Sequence, residues 1–231
     1  MTPPNGTSSS TSSTIHYPNG TIYSGATQPH GIGQIKSKDG RTLTHGIWKN
    51  GQIEYEGELN EKGLPHGRGK WTYSNGTYEG TWKNGLRHGE GLYQWTDGSS
   101  YGGQWKEDQK HGYGVKRWPD GSSYHGEWNH NKKHGRGTKK HPDGTVWYDG
   151  DYRDGRPDGV GTLNYSNGDV YTGHWRGNKK HGRGMMTYAN EEIYEGEWRV
   201  GLRHGSGSFM LTNGDVITGE WINDKMPLDL Y

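Results

Sequence analysis

The sequence contains no cysteine, which excludes a disulfide framework and any zinc site built on thiolates. It has a single phenylalanine, and only 26% of its 231 residues are hydrophobic, against roughly 45–50% in an ordinary globular domain. A conventional two-layer aliphatic core is therefore not expected. No apolar run approaches the roughly 18 residues of a membrane-crossing helix. No apolar segment of the secretory type stands near Met1, and together with the missing cysteines this points to a reducing, cytoplasmic setting. Glycine does not recur at every third position, so a collagen helix is excluded. The formal net charge is +1, which gives no bulk attraction to nucleic acid. So few aliphatic residues would fit a disordered chain, but disorder also calls for few aromatics and a high net charge. Here 12% of the residues are aromatic, and a fold built on rings is expected.

What the chain has in quantity is glycine, tryptophan and tyrosine: 42, 11 and 16 residues. They are periodic. Tyr55, Tyr78, Tyr101, Tyr124, Tyr148, Tyr171 and Tyr194 follow one another at intervals of 23 residues, once 24, and Ile217 continues the series. Most blocks read Tyr-x-Gly-x-Trp, a turn, His-Gly-x-Gly, and a second turn, as in Tyr78 to Trp82 with His88 to Gly91, and Tyr194 to Trp198 with His204 to Gly207. A fixed period of this length marks a repeat architecture.

Each block reads as a β-hairpin. Tyr78, Gly80 and Trp82 alternate with Glu79 and Thr81, which is the period of a strand. Asn84-Gly85 is a hairpin turn signal, and Gly91, Tyr93 and Trp95 share one face of the returning strand. Asp97-Gly98, Asp120-Gly121, Asp143-Gly144, Asn167-Gly168 and Asn213-Gly214 turn the chain into the next block. Helix signals are absent. Gly80 and Gly91 lie on the aromatic face, where a missing side chain lets a neighbouring ring lie flat on the backbone. Cross-strand ring contacts then offset the weakness of glycine in a strand.

This pattern resembles the MORN repeat (membrane occupation and recognition nexus) over roughly residues 15–226. The expected fold is all-β: an elongated, single-sheet antiparallel meander of eight or nine hairpins, with about 10 Å per repeat and a length on the order of 80 Å. Residues 1–14 read as a disordered Ser/Thr-rich tail, 15–54 as degenerate N-terminal repeats, 55–226 as the regular array and 227–231 as a C-terminal tail. Two substitutions mark the fifth regular block, where Tyr152 replaces Trp and Asp158 replaces His.

Several motifs invite a chemical reading. His-Gly recurs at His30, His66, His88, His111, His134, His181 and His204. Equivalent residues of adjacent repeats would stand about 10 Å apart, too far to share a metal with bonds near 2.1 Å, so a structural role at the turn is favoured. Gly98 to Gly102 matches G-x-S-x-G, but it falls at a repeat junction and not at a strand-to-helix elbow. Asn5, Asn19 and Asn75 head glycosylation sequons that read better as turn or tail residues. No phosphate-binding glycine loop and no paired carboxylates in a pocket are found. No catalytic residue, cofactor or metal site is expected, and the protein is expected not to be an enzyme.

Charge placement offers a candidate site. Arg87, Lys110, Lys133, Lys180 and Arg203 precede His-Gly, with Lys132 and Lys179 beside them. In a meander these residues fall on one long edge, a candidate docking edge for acidic protein or anionic lipid. Asp97, Asp120, Asp143, Asp169, Glu191, Glu192 and Asp215 fall near the other, so a sheet polarised across its width is expected. The candidate aromatic face comprises Tyr78, Trp82, Trp95, Tyr101, Trp105, Trp118, Tyr124, Trp128, Tyr171, Trp175, Tyr194 and Trp198. At the strand centres, Trp71, Tyr93, Lys116, Lys139, Leu163, Met186 and Phe209 occupy one slot. Its lysines either snorkel over rings or line a groove for an acidic or extended segment.

The expected function is a non-enzymatic scaffold that binds other protein subunits of a large assembly, with self-association through end strands as a further option. A dense His-Gly array without an appended domain is similar to the radial spoke head MORN proteins of motile cilia and flagella. That resemblance implies a cytoskeletal, axonemal placement. A peripheral-membrane adaptor for anionic phospholipid, and a regulatory MORN subunit of an enzyme encoded elsewhere, are the alternatives. Nucleic acid is not an expected partner.

Overall fold

A computed structural model describes residues 12–16, 22–26, 31–36 and 41–226. The described residues form nineteen strands and no helix. In chain order these are β1 (Ser12–His16), β2 (Ile22–Ala26), β3 (Gly31–Lys36), β4 (Thr42–Lys49), β5 (Gln52–Leu59), β6 (Pro65–Tyr73), β7 (Gly76–Lys83), β8 (Leu86–Trp95), β9 (Ser100–Lys106) and β10 (Gln109–Arg117). They continue with β11 (Ser123–Asn129), β12 (Lys132–Lys140), β13 (Val146–Arg153), β14 (Arg156–Asn164), β15 (Val170–Arg176), β16 (Lys179–Thr187), β17 (Ile193–Arg199), β18 (Leu202–Met210) and β19 (Val216–Trp221). The chain divides into two compact units, residues 1–98 with 104–108, and residues 99–103 with 109–231. In the first, β1 to β8 pair antiparallel, each with its chain neighbour. In the second, β10 to β19 do the same.

The predicted tail over 1–14 needs correction at its end, because Ser12 to Thr14 lie in β1 and pair with β2. The rest of that tail, His30, Asn5, Asn19 and the tail over 227–231 lie outside the described residues. The degenerate repeats expected over 15–54 are built as strands β1 to β5.

Register explains the motif. Within the β7–β8 hairpin, Tyr78 faces Tyr93, Gly80 faces Gly91 and Trp82 faces Arg87. Between the last two pairs β8 carries two residues more than β7, a bulge that His88-Gly89 fills. Gly89 has φ +62°, a conformation costly for residues with a Cβ. Equivalent bulges interrupt β11–β12, β13–β14, β15–β16 and β17–β18. The first glycine of His-Gly-x-Gly therefore makes the bulge. The second is the bed for a tyrosine: a Cβ on Gly91 would collide with the Tyr78 hydroxyl and ring, as one on Gly184 would with those of Tyr171.

In each unit the core is a row of rings on one face. Tyr55, Tyr78, Tyr101, Tyr124, Tyr148, Tyr171 and Tyr194 are all 0% exposed. Each phenol lies over a glycine pair, and most donate to the carbonyl three residues on, as Tyr78 Oη does to Thr81 O (3.0 Å) and Tyr171 Oη to His174 O (3.0 Å). The tryptophans stand edge-on between them: Tyr171 meets Trp175 at 5.1 Å and 90°, and Trp198 at 5.2 Å and 82°. Such T-shaped pairs are worth about 0.5–1.5 kcal/mol each beyond area burial. Six of the indole N–H groups donate to a glycine carbonyl of the preceding hairpin, as from Trp175 to Gly161 (3.0 Å) and from Trp198 to Gly184 (3.0 Å). Burial holds the Tyr78, Tyr124 and Tyr171 phenols far above their ordinary value of 10.0.

Candidate functional site

The predicted basic edge is real in position but different in use. Arg87, Lys110, Lys133, Lys180 and Arg203 bend over the aromatic row, so that each cation lies on the ring of the next hairpin. The head groups stand 4.5 Å from Trp105, 4.6 Å from Trp128, 5.0 Å from Tyr152, 3.9 Å from Trp198 and 4.3 Å from Trp221, respectively. These are cation–π contacts, and the side chains close the row against water. Arg87 and Arg203 keep only 20% and 19% of their side-chain surface exposed. Of the seven predicted docking residues, Lys132 and Lys179 are the exposed ones.

The expected polarisation across the sheet is also corrected. Acidic residues share the basic edge, because two-residue turns with both residues at positive φ admit Asp and Asn as well as Gly. Asp108 Oδ1 accepts from the Arg87 backbone N–H at 2.9 Å and from its Nε at 2.8 Å. Asp224 does the same for Arg203 at 2.9 and 3.3 Å, and Lys132 lies 3.4 Å from Asp154. At the opposite turns Asp120 and Asp143 are tied up locally. Asp120 accepts from the Ser122 N–H (2.8 Å) and hydroxyl (2.7 Å), which together lower its pKa.

Ten of the twelve predicted face residues are buried in the row. Trp95 and Trp118 are half-buried at strand ends; Trp95 stacks on Tyr93 at 4.4 Å. Lys139 snorkels, with its ammonium 4.1 Å from the Trp147 ring and 5.9 Å from Trp118. Lys116 donates to Ser99 Oγ at 2.9 Å. Among the histidines, His66 Nδ1 accepts from the Asn84 N–H at 3.4 Å, while His111 meets His130 edge-on at 6.1 Å. Asp158, which replaces His, accepts from the Gly177 N–H at 3.0 Å. Among the described residues no group of three His, Asp or Glu could hold a metal ion.

With the ring face closed, the other face remains. Its side chains are the alternate residues of each strand, and its floor is glycine backbone. In the first unit Gly57, Gly69, Gly80 and Gly91 pair across successive strands. In the second an unbroken cross-strand line runs from Gly114 through Gly126, Gly137, Gly150, Gly161, Gly173, Gly184, Gly196 and Gly207 to Gly219. The residues before and after each floor glycine stand about 6.8 Å apart and form two walls. The first unit thus carries a groove of ≈ 700 Å³ walled by Glu56, Arg68, Lys70, Glu79, Thr81 and Glu90. The second carries one of ≈ 600 Å³ walled by Thr172, Arg183, Met185, Glu195, Ser208 and Thr218, among others.

These grooves were not anticipated from the sequence. The signal for them was the recurrence of small and polar residues on both sides of each Tyr-x-Gly-x-Trp glycine. The residue before Trp has a second task, since Glu127 Oε1 accepts from the Arg136 N–H at 3.0 Å and Asp151 Oδ2 from the Val160 N–H at 2.8 Å. It caps the bulge of the facing strand.

Successive hairpins with a self-sealing aromatic face and an open face define an antiparallel β-repeat protein, an architecture that typically serves as a non-catalytic interaction scaffold. The family model "MORN repeat" matches residues 55–77, 78–100, 101–123, 124–146, 148–170, 171–192 and 194–216. The chain belongs to the MORN-repeat family. None of the curated proteins matches its sequence. Among solved structures it is similar to the TCP10 domain of Danio rerio CPAP in complex with a peptide of Danio rerio STIL. The identity there is 14%, with 91% of this chain and 99% of that chain covered and a TM-score of 0.45. The wild-type TCP10 domain without the peptide gives 12% identity, 90% and 94% coverage, and a TM-score of 0.40.

Proposed function

We propose that this MORN protein is a non-enzymatic scaffold whose open face receives an extended segment of a partner protein within a large assembly. The observation that carries the reading is the glycine-floored groove. Its bare glycine floor, between side-chain rows whose backbones stand about 6.8 Å apart, is where an extended segment can approach the sheet most closely, with the Thr172, Ser208 and Thr218 hydroxyls along it. The finer placement we propose is the axoneme of motile cilia, among radial spoke head subunits, supported by the similarity of the His-Gly array to those proteins. A basic edge for anionic phospholipid is disfavoured by the use of five of its seven cations as ring covers.

The test pairs localisation with a groove variant. Tagged protein in motile ciliated cells is expected in axonemes and cross-linked to spoke-head subunits. A Thr172→Arg, Ser208→Arg variant, which fills the groove of the second unit and leaves the ring row intact, is expected to melt like the wild type and lose the cross-links. Exclusion of the wild type from axonemes would overturn the placement. Undiminished cross-linking of the folded variant would overturn the groove. Sedimentation with anionic vesicles at physiological salt would favour the membrane alternative.

A further inference from the structure

Four of the five ring-covering cations fall into two chemical kinds, while Lys110 pairs through its backbone N–H with Asn131. Arg87 and Arg203 lie beside Asp108 and Asp224, the second turn residue of the next hairpin. At that same turn position Lys133 and Lys180 meet Gly155 and Gly201, which supply only a backbone N–H to the lysine carbonyls at 2.8 and 2.9 Å. The sequence thus couples arginine with aspartate and these two lysines with glycine. Among the described residues neither ammonium has a carboxylate within ion-pair distance or a hydrogen-bond acceptor. Lys133 rests on Tyr124 (5.5 Å) and Tyr152 (5.0 Å), Lys180 on Tyr171 (5.5 Å) and Trp198 (3.9 Å).

We propose that Lys133 and Lys180 are selective acylation sites, taking an acyl group from a thioester and thereby uncovering the aromatic row beneath them. An amine that is half-buried, set on rings and without a carboxylate at ion-pair distance populates its neutral, nucleophilic form more than an exposed lysine does. Burial lowers both pKa values from 10.5 to about 8. Lys139 lowers that of Lys133 further, and around Lys180 the effect of Arg203 opposes those of Asp224 and Asp169. In the reaction the neutral Nζ attacks the thioester carbonyl carbon. The N–C bond forms, the C–S bond breaks, the thiolate departs and the proton of the adduct nitrogen passes to water. The amide carries no charge, so the cation–π contact with Trp198 or Tyr152 is lost.

The test is acylation of the purified full chain by acetyl-coenzyme A at neutral pH, read by peptide-mapping mass spectrometry over time. Lys132 and Lys179 are matched controls, one residue away and exposed. Lys133 and Lys180 are expected to acylate roughly tenfold faster than these, after allowance for lower basicity and partial cover. The advantage should shrink as the pH approaches the ordinary lysine value. Modified protein is expected to melt at a lower temperature, and Lys180→Arg, which copies the residue found at 87 and 203, to stay folded and lose the label at 180. Equal or faster acylation of Lys132 and Lys179 would overturn the proposal, as would modified protein of unchanged melting temperature and tryptophan emission.

Discussion

Tyr148 and Tyr152 meet edge to face, ring centroids 5.2 Å apart at 81°, in a hairpin whose counterparts set tryptophan against tyrosine. The phenol fills most of the indole's place but not its bonding. The Tyr152 hydroxyl is buried and has no hydrogen-bond partner, whereas six tryptophans in this slot donate to a glycine carbonyl one hairpin back. By register the carbonyl for residue 152 belongs to Gly137, which faces Gly150. Tyr152→Trp is expected to remove an unsatisfied hydroxyl and restore that bond, raising stability by about 1–2 kcal/mol. Chemical denaturation of the two proteins checks this, and a destabilised variant would mean that the slot has closed around the smaller ring.

The glycine beds make a sharper prediction. Gly184→Ala places a methyl against the Tyr171 ring and hydroxyl, where only displacement of a fully buried ring makes room. A loss of about 3 kcal/mol or more is expected. Gly144→Ala supplies the control. Gly144 has a positive φ, +86°, which Gly184 does not, but nothing lies within 4 Å of the added carbon, so it should cost about 1 kcal/mol from backbone strain alone. Near-equal losses in thermal melts would refute the ring-bed account.

The pH dependence follows from groups shifted in opposite directions. A phenol whose folded pKa exceeds its unfolded 10.0 holds its proton more firmly when folded. Its stabilisation is complete below about pH 10 and drains as the pH rises further. Lys133 and Lys180, lowered from 10.5 to about 8, act the other way: between those values the unfolded chain binds more protons, and stability rises slightly with pH. The expected curve therefore climbs gently from about pH 8 and collapses above about pH 10. Phenolate absorbance should appear together with the loss of β-sheet circular dichroism. Phenolate formation well before unfolding would show that the rings are open to solvent.

The period, the strand alternation and the pairing of Tyr78 with Gly80 and Gly91 could be read from the sequence because they are set within one hairpin. The use of the basic edge could not. Whether Arg87 points outward or lies on Trp105 depends on the next hairpin, and its carboxylate partner, Asp108, stands 21 residues away. The groove escaped notice for a related reason. Glu79 and Thr81 look like ordinary solvent-facing residues until cross-strand pairing lines up Gly69, Gly80 and Gly91 between their rows. At the start of β1 the Ser/Thr composition suggested a tail, although Ser12 to Thr14 pair with β2.

Turn chemistry gives a prediction independent of the rings. Val200 occupies the first central position of the β17–β18 turn at φ +55°, a left-handed conformation in which a β-branched side chain crowds its own backbone. Its equivalents include Asn50 and Asn84, each followed by glycine. Val200→Asn recreates that Asn-Gly turn and is expected to stabilise by about 1 kcal/mol, measured as a rise in melting temperature. No rise would mean that Val200, 55% exposed, gains compensating contacts in this turn.

Arg203 and Asp224 allow the cover and the ion pair to be separated. Arg203 Nε lies 3.3 Å from Asp224 Oδ1, and the guanidinium carbon lies 4.3 Å from the Trp221 centroid. Asp224 is 43% exposed on its side chain, so the charge pair itself is screened and worth at most about 1 kcal/mol. Arg203→Ala removes the pair, the cation–π contact and the apolar stem over the rings, and should cost about 2 kcal/mol. Asp224→Ala removes the pair and the acceptor for the Arg203 N–H, and should cost about 1 kcal/mol. In a double-mutant cycle the coupling should stay below the Arg203→Ala loss, because the ring cover persists when Asp224 is gone. A coupling equal to that loss would mean that the arginine acts through its carboxylate alone, and the cation–π account of the basic edge would fall with it.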